Sequence, residues 1–99
     1  MKQILSDEPY LSQIMAILNS ILQDKTCEIY LFGSRATRTH APLSDFDIAV
    51  LATEDISREL SLAREKLELS KIPLKVDLVD LSTTSDIFKQ KALTEGILL

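Results

Sequence analysis

Residues 45–51 read Asp45-Phe46-Asp47-Ile48-Ala49-Val50-Leu51. The β-branched and aromatic content predicts a strand. Strand side chains alternate, so Asp45 and Asp47 point to one face while Phe46, Ile48 and Val50 point to the other. Two steps along a strand separate the two acids by about 7 Å at Cα, and their tips can converge. A strand that is apolar beneath and acidic above needs a core on one side only, and the flanking sequence supplies the rest of it.

Upstream, Leu11, Ile14, Met15, Leu18, Ile21 and Leu22 recur every three to four residues and predict a helix over about 8–24. Ser6 or Asp7 can cap it, Pro9 is tolerated in its first turn, and Ile17 widens the stripe. Ile29-Tyr30-Leu31-Phe32 predicts a strand over about 28–32, ended by Gly33. Residues 34–37 resemble a short helical turn capped by Ser34, and 37–44, with Pro42, read as a loop. Downstream, Ile56, Leu60, Ala63 and Leu67 mark a helix over about 57–70, and Pro73 precedes a strand over about 74–79. After residues 82–85, Ile87, Phe88, Lys91 and Leu93 suggest a last short helix. The order αβ(turn)βαβα predicts an α/β (α+β) domain with a small mixed sheet of three to four strands flanked by helices.

The chain has 99 residues, 45% hydrophobic and 26% charged, with two Gly and three Pro. That is one domain, spanning 1–99, and it excludes a disordered, collagen-like or linker composition. The net charge of −4 supplies no Lys/Arg excess to neutralise a phosphate backbone, so direct nucleic-acid binding is not expected. The single cysteine, Cys27, excludes an intrachain disulfide and a cysteine-based zinc site. With no apolar run near 18 residues and no signal-peptide pattern at residues 1–7, the expectation is a soluble cytoplasmic protein without a membrane segment.

A third acid joins the pair. In Leu74-Lys75-Val76-Asp77-Leu78-Val79, Asp77 lies on the face opposite Val76 and Leu78. If the strands are neighbours, Asp45, Asp47 and Asp77 share a platform. Two carboxylates 4 Å apart repel by about 4 kcal/mol at an effective dielectric of 20, which protons or cations must relieve. Mg²⁺ suits such oxygen donors and leaves room for substrate phosphates; two ions can stabilise both oxygens of an in-line displacement. Gly33-Ser34, at the strand-to-turn junction, offers close backbone approach, a hydroxyl and free N–H groups to an anion, and Arg35 can add a bidentate phosphate contact. Alone, each piece has an ordinary reading as turn, cap or solvated strand polarity. Together, Gly-Ser, ten residues, then Asp-x-Asp arises by chance in a chain this long on the order of once in a thousand.

The combination Gly33-Ser34-Arg35-Ala36, Ser44-Asp45-Phe46-Asp47-Ile48-Ala49-Val50 and Val76-Asp77-Leu78-Val79-Asp80-Leu81 resembles the polymerase-β-like nucleotidyltransferase superfamily, and within it the minimal nucleotidyltransferases (MNT). The likeness covers about residues 11–81. It implies that Gly33 and Ser34 hold a nucleoside triphosphate, that Asp45 and Asp47 ligate one or two Mg²⁺, and that Asp77 activates the acceptor hydroxyl and contacts metal. The implied reaction is nucleotidyl transfer with release of pyrophosphate. Larger members carry a further domain for the acceptor; in the minimal subfamily that role resembles the task of a separate helical HEPN toxin, onto whose tyrosine the MNT antitoxin transfers AMP.

The sequence carries its own hint of a partner. Leu62 and Leu69 lie on one side of the second long helix, roughly 200° from the Leu60/Leu67 stripe. Isolated surface leucines are also ordinary. Ile97-Leu98-Leu99 adds weight to a covered surface. His40 and Arg38, in the loop, are solvated or substrate-facing; Cys27 reads as a small hydrophobe, Met15 as core, and Glu65, Lys66 and Glu68 as a solvated face. The resulting expectation is a Mg²⁺-dependent enzyme moving AMP from ATP onto a HEPN partner's hydroxyl. The alternatives are a non-catalytic antitoxin that covers the HEPN protein, and a small-molecule (aminoglycoside-like) nucleotidyltransferase completed by a helical subunit.

Overall fold

The computed structural model describes residues 9–33 and 45–99, of which the first residue, Pro9, is described by backbone alone. The elements are α1 (Pro9–Leu22), β1 (Cys27–Phe32), β2 (Phe46–Ala52), α2 (Ser57–Leu69), β3 (Val76–Asp80), α3 (Asp86–Glu95) and β4 (Ile97–Leu98). The four strands form one sheet in the order β3-β2-β1-β4. β1 runs antiparallel to both β2 and β4, whereas β2 and β3 are parallel and joined through α2, because a parallel pair needs a crossover. The Cα radius of gyration is 12.7 Å, against about 13 Å expected for a compact chain of this length.

The mixed sheet and the alternation of β2 are as expected, and the element ends shift for identifiable reasons. α1 stops at Leu22, not at 24, because the Lys25 N–H closes a turn onto the Leu22 carbonyl at 2.9 Å. β2 starts at Phe46 and β3 at Val76, where their ladder begins; Asp45 and Leu74 stand ahead of it. The Phe46 N–H donates to the Lys75 carbonyl at 2.9 Å and sets that start. The Ser70 N–H returns to the Leu67 carbonyl, and α2 ends one residue short of the expected 70. Ser85 caps α3 by accepting the Phe88 N–H at 3.2 Å.

β4 is the element the sequence reading lacks. Gly96 turns the chain from α3 straight onto the edge of β1, passing so close that a Cβ there would strike the Ala92 carbonyl and lie 3.3 Å from that of Leu31. Leu98 pairs with Tyr30, Ile97 with Leu31, and the Leu99 N–H donates to the Ile29 carbonyl. Ile97 and Leu99 are half-buried against the main core, so most of this tail serves the fold, which corrects its reading as part of a partner surface. The expectation for α2 holds: Leu62 is 44% and Leu69 79% exposed.

The two faces of the sheet differ in kind. One carries Ile29, Leu31, Phe46, Ile48, Val50 and Leu78, packed in a single core with Ile14 and Leu18 of α1 and Leu60, Ala63 and Leu67 of α2. The other is covered in part by α3, through a smaller cluster built on Ala49, Leu81 and Ala92 with Phe32 and Phe88 at its margin. Arg64 of α2 donates to the Leu78 carbonyl at 2.9 Å and ties the helix to β3.

Truncating the fully buried Leu18, on the sheet face opposite the acids, is expected to cost about 2–5 kcal/mol in urea unfolding, through lost transfer energy and the cavity left behind.

Candidate active site

Sheet register builds the site. Phe32 is the cross-strand partner of Asp47, and Asp47 is the partner of Asp77, so these three residues form one row across β1, β2 and β3. They share the face that α3 covers only in part. Adjacent strands run about 4.8 Å apart, which brings the backbones carrying the two carboxylates to that separation. Asp45, exposed, stands immediately before β2 and adds its charge to the pair.

Asp47 shows the strain of this arrangement. Its carboxyl is pushed above the ordinary carboxylate range, first by burial, then by the charge of Asp77, then by that of Asp45; Lys75 pulls the other way. Lys75 Nζ lies 3.5 Å from Asp77 Oδ1, but it is well exposed and contributes little to stability. Among the described residues, no three His, Cys, Asp or Glu side chains converge as a ready-made metal cage. The expected platform is therefore a half-buried pair with a third acid alongside. Its donors are all hard oxygens under mutual repulsion, the set that a divalent cation fits.

Gly33 ends β1 with φ +74°, in the left-handed region. A Cβ at this position would collide with Asp47 Oδ2 and sit 3.2 Å from its Cγ. The sequence marks Gly33 as the end of the strand and as a place for close phosphate approach; its backbone also packs against the acid itself, a contact visible only once β1 and β2 are paired. Ser34 and Arg35, and with them Arg38 and His40, lie outside the described residues. Lys75 carries no sequence signal, since a lysine before a strand is commonplace.

Beside Gly33, on the side away from Asp77, a cavity of about 250 Å³ opens between the end of β1 and α3. Phe32, Gly33, Phe88, Lys91, Ala92 and Glu95 line it. The Phe32 and Phe88 rings meet edge to face, centroids 5.5 Å apart at 86°.

Residues 12–99 match the family model described as polymerase beta, nucleotidyltransferase. The chain belongs to this nucleotidyltransferase family. Over 85 residues it is 34% identical to the probable protein adenylyltransferase MntA of Haemophilus influenzae, covering 80% of this chain and 72% of that protein. It is 41% identical over 71 residues to the protein adenylyltransferase MntA of Shewanella oneidensis, covering 69% of this chain but only 49% of the relative. Two solved structures share the fold at 31–33% identity. One is a toxin–antitoxin with AMP-PNP, at TM-score 0.65 over 84% of this chain and 69% of the other. The second is the tri-AMPylated HEPN toxin of Shewanella oneidensis in complex with its MNT antitoxin, also at TM-score 0.65, over 88% of this chain and 66% of the other. Among the described residues of this family member, no helix is long and apolar enough to cross a membrane.

Two outcomes test the geometry without substrate. Gly33→Ala places an L-residue in the left-handed region and is expected to cost at least about 1–2 kcal/mol in urea unfolding. The metal-free protein should lose stability as pH rises from the ordinary carboxylate pKa through the raised value of Asp47, because the folded state holds that proton more tightly than the unfolded chain. In Asp47→Asn this loss disappears; the variant is the more stable above the window and the gain vanishes below it, as unfolding curves across pH would show.

Proposed function

We propose that this chain is a Mg²⁺-dependent protein adenylyltransferase that moves AMP from ATP onto a tyrosine hydroxyl of a HEPN-family toxin and thereby acts as its antitoxin in the cytoplasm. The observation that carries the reading is the in-register placement of Asp47 beside Asp77, with Gly33 packed against Asp47. The MntA relatives and the AMPylated HEPN complex support the choice of acceptor. The complex with AMP-PNP supports the donor.

In this reading Asp45 and Asp47, and with them Asp77, would hold the Mg²⁺, which when bound would supply charge stabilisation for the phosphates. Gly33 and Ser34 hold the triphosphate, and Arg35 adds a phosphate contact. Asp77, at the open side of the row, orients the acceptor hydroxyl and takes its proton. The hydroxyl oxygen forms a bond to the α-phosphorus, the bond from that phosphorus to the bridging oxygen breaks, and pyrophosphate leaves. No covalent enzyme intermediate is needed; rate comes from positioning and from charges already fixed in place.

A second reading, neutralisation by covering the toxin, is favoured by the exposed Leu62 and Leu69 of α2. One experiment separates them. The chain is mixed with a HEPN-family protein, ATP and Mg²⁺, and the HEPN protein is weighed intact. A gain of one or more AMP units is expected, falling by at least about 100-fold in rate in Asp45→Asn or Asp47→Asn while circular dichroism shows the fold intact. Removal of Mg²⁺ with EDTA should have the same effect. A stable complex with no mass gain, and neutralisation that survives loss of all three acids, would establish the covering role.

A further inference from the structure

We propose that Arg64 of α2 is a positioning residue for the transfer: by holding the outer edge of β3 at Leu78, it fixes the backbone that carries Asp77 beside Asp47. The inference rests on the adenylyltransferase reading above and adds to it a residue that acts through Asp77.

Backbone direction comes first. The Lys75 carbonyl accepts the Phe46 N–H, and the Leu81 N–H donates to the Val50 carbonyl, both at 2.9 Å. Residues 75 and 81 therefore turn these backbone groups toward β2. Backbone groups alternate sides along a strand, so Asp77 and Val79 also face β2, while Val76, Leu78 and Asp80 face outward. β3 is the terminal strand, and among the described residues no further strand meets those outward groups. The Asp80 carbonyl closes a turn with the Thr83 N–H at 3.1 Å. The Leu78 carbonyl, on the residue that follows Asp77, accepts from Arg64 Nη2 at 2.9 Å.

The tie is anchored at both ends. Ala63 and Leu67, on either side of Arg64 in α2, are buried in the main core, and so is the Leu78 side chain. Residue 78 is thus held from beneath by packing and from outside by a charge-assisted hydrogen bond. On the inner side the strand meets an opposing force, because Asp77 stands in register with Asp47 and like charges on adjacent strands repel. A five-residue terminal strand under that load is where one outer tie has most effect. Blocking strand addition could be done at any outward carbonyl; Arg64 takes the one adjoining the acid. The placement also says which step responds. A displaced Asp77 leaves the nucleotide at Gly33 and Asp47 and moves the group that orients the acceptor hydroxyl. The loss falls on kcat and spares KM for ATP.

Two measurements on the full chain test this: hydrogen exchange at the Asp77 and Val79 amides without metal, and AMP transfer to a HEPN-family protein with ATP and Mg²⁺. Arg64→Met keeps an unbranched apolar stem and removes the donors. It should speed exchange at both amides by about tenfold. It should lower kcat on the order of 10–100-fold, with KM for ATP within about twofold. Arg64→Lys restores a donor and should recover most of both losses; if Arg64→Met fails to fold, Arg64→Gln takes its place. Ile14→Val weakens the core on the opposite sheet face and should leave kcat, and exchange in β3 relative to β1, unchanged. Faster exchange with kcat unchanged overturns the positioning role and leaves Arg64 as an edge cap. A lower kcat without faster exchange, or a lysine variant that recovers rate without protection, overturns the hold on β3. A native chain that transfers no AMP overturns the adenylyltransferase reading, and the positioning role with it.

Discussion

Two carboxylates stand side by side because β2 and β3 run parallel in register, Asp47 opposite Asp77. The pairing is unfavourable in itself: like charges on adjacent strands repel, and burial of Asp47 adds to the cost. It persists because the opposite face of the same strand is anchored. Phe46, Ile48 and Val50 are fully buried, and slipping β2 by one residue would send all three to the acid face. The hydrophobic core thus holds in place a charge arrangement that the charges alone would abandon. Acids fixed mainly by the packing beneath them are pre-organised for the cation and phosphates of the proposed reaction.

The same logic accounts for the turn. Gly33 enters the left-handed region where β1 ends, and its missing Cβ is what lets the backbone lie against the Asp47 carboxylate. Asp47 is therefore flanked by three elements: the backbone at Gly33 on one side, Asp77 on the other, and its own buried strand beneath. Lys75 offsets part of the repulsion from an exposed position, where water and salt weaken it. The balance leaves the acid row short of positive charge among the described residues.

Much of this was readable in the residues. The three-to-four-residue spacing of Leu11, Ile14, Leu18 and Leu22 yields α1, and strict alternation in 45–51 yields β2 with the correct face buried. The identity of the acids was legible as well, since residue type and spacing are local properties. Pairwise facts were not. Leu74 looks like strand from its apolar character, yet β3 begins only where β2 offers Phe46 as a partner. β4 has two residues, too few for any periodicity, and exists because Gly96 delivers the chain to an unpaired edge of β1. The contact between Gly33 and Asp47 joins residues fourteen apart across an antiparallel pair, and no single stretch of sequence encodes it.

The sheet order also explains why an acceptor as large as a protein suits the proposed chemistry. β3 is the terminal strand on the Asp77 side, so among the described residues no further strand walls off that flank. An open edge strand ordinarily invites pairing with another chain. Here Arg64 reaches from α2 to satisfy the Leu78 carbonyl, and β3 is only five residues long, which makes the edge a poor template for strand addition. A hydroxyl presented by another folded protein can reach the acid row there, whereas the opposite flank is narrowed by Phe32, Phe88 and α3. The asymmetry between a covered flank and an open one follows from the order of four strands and the placement of one short helix.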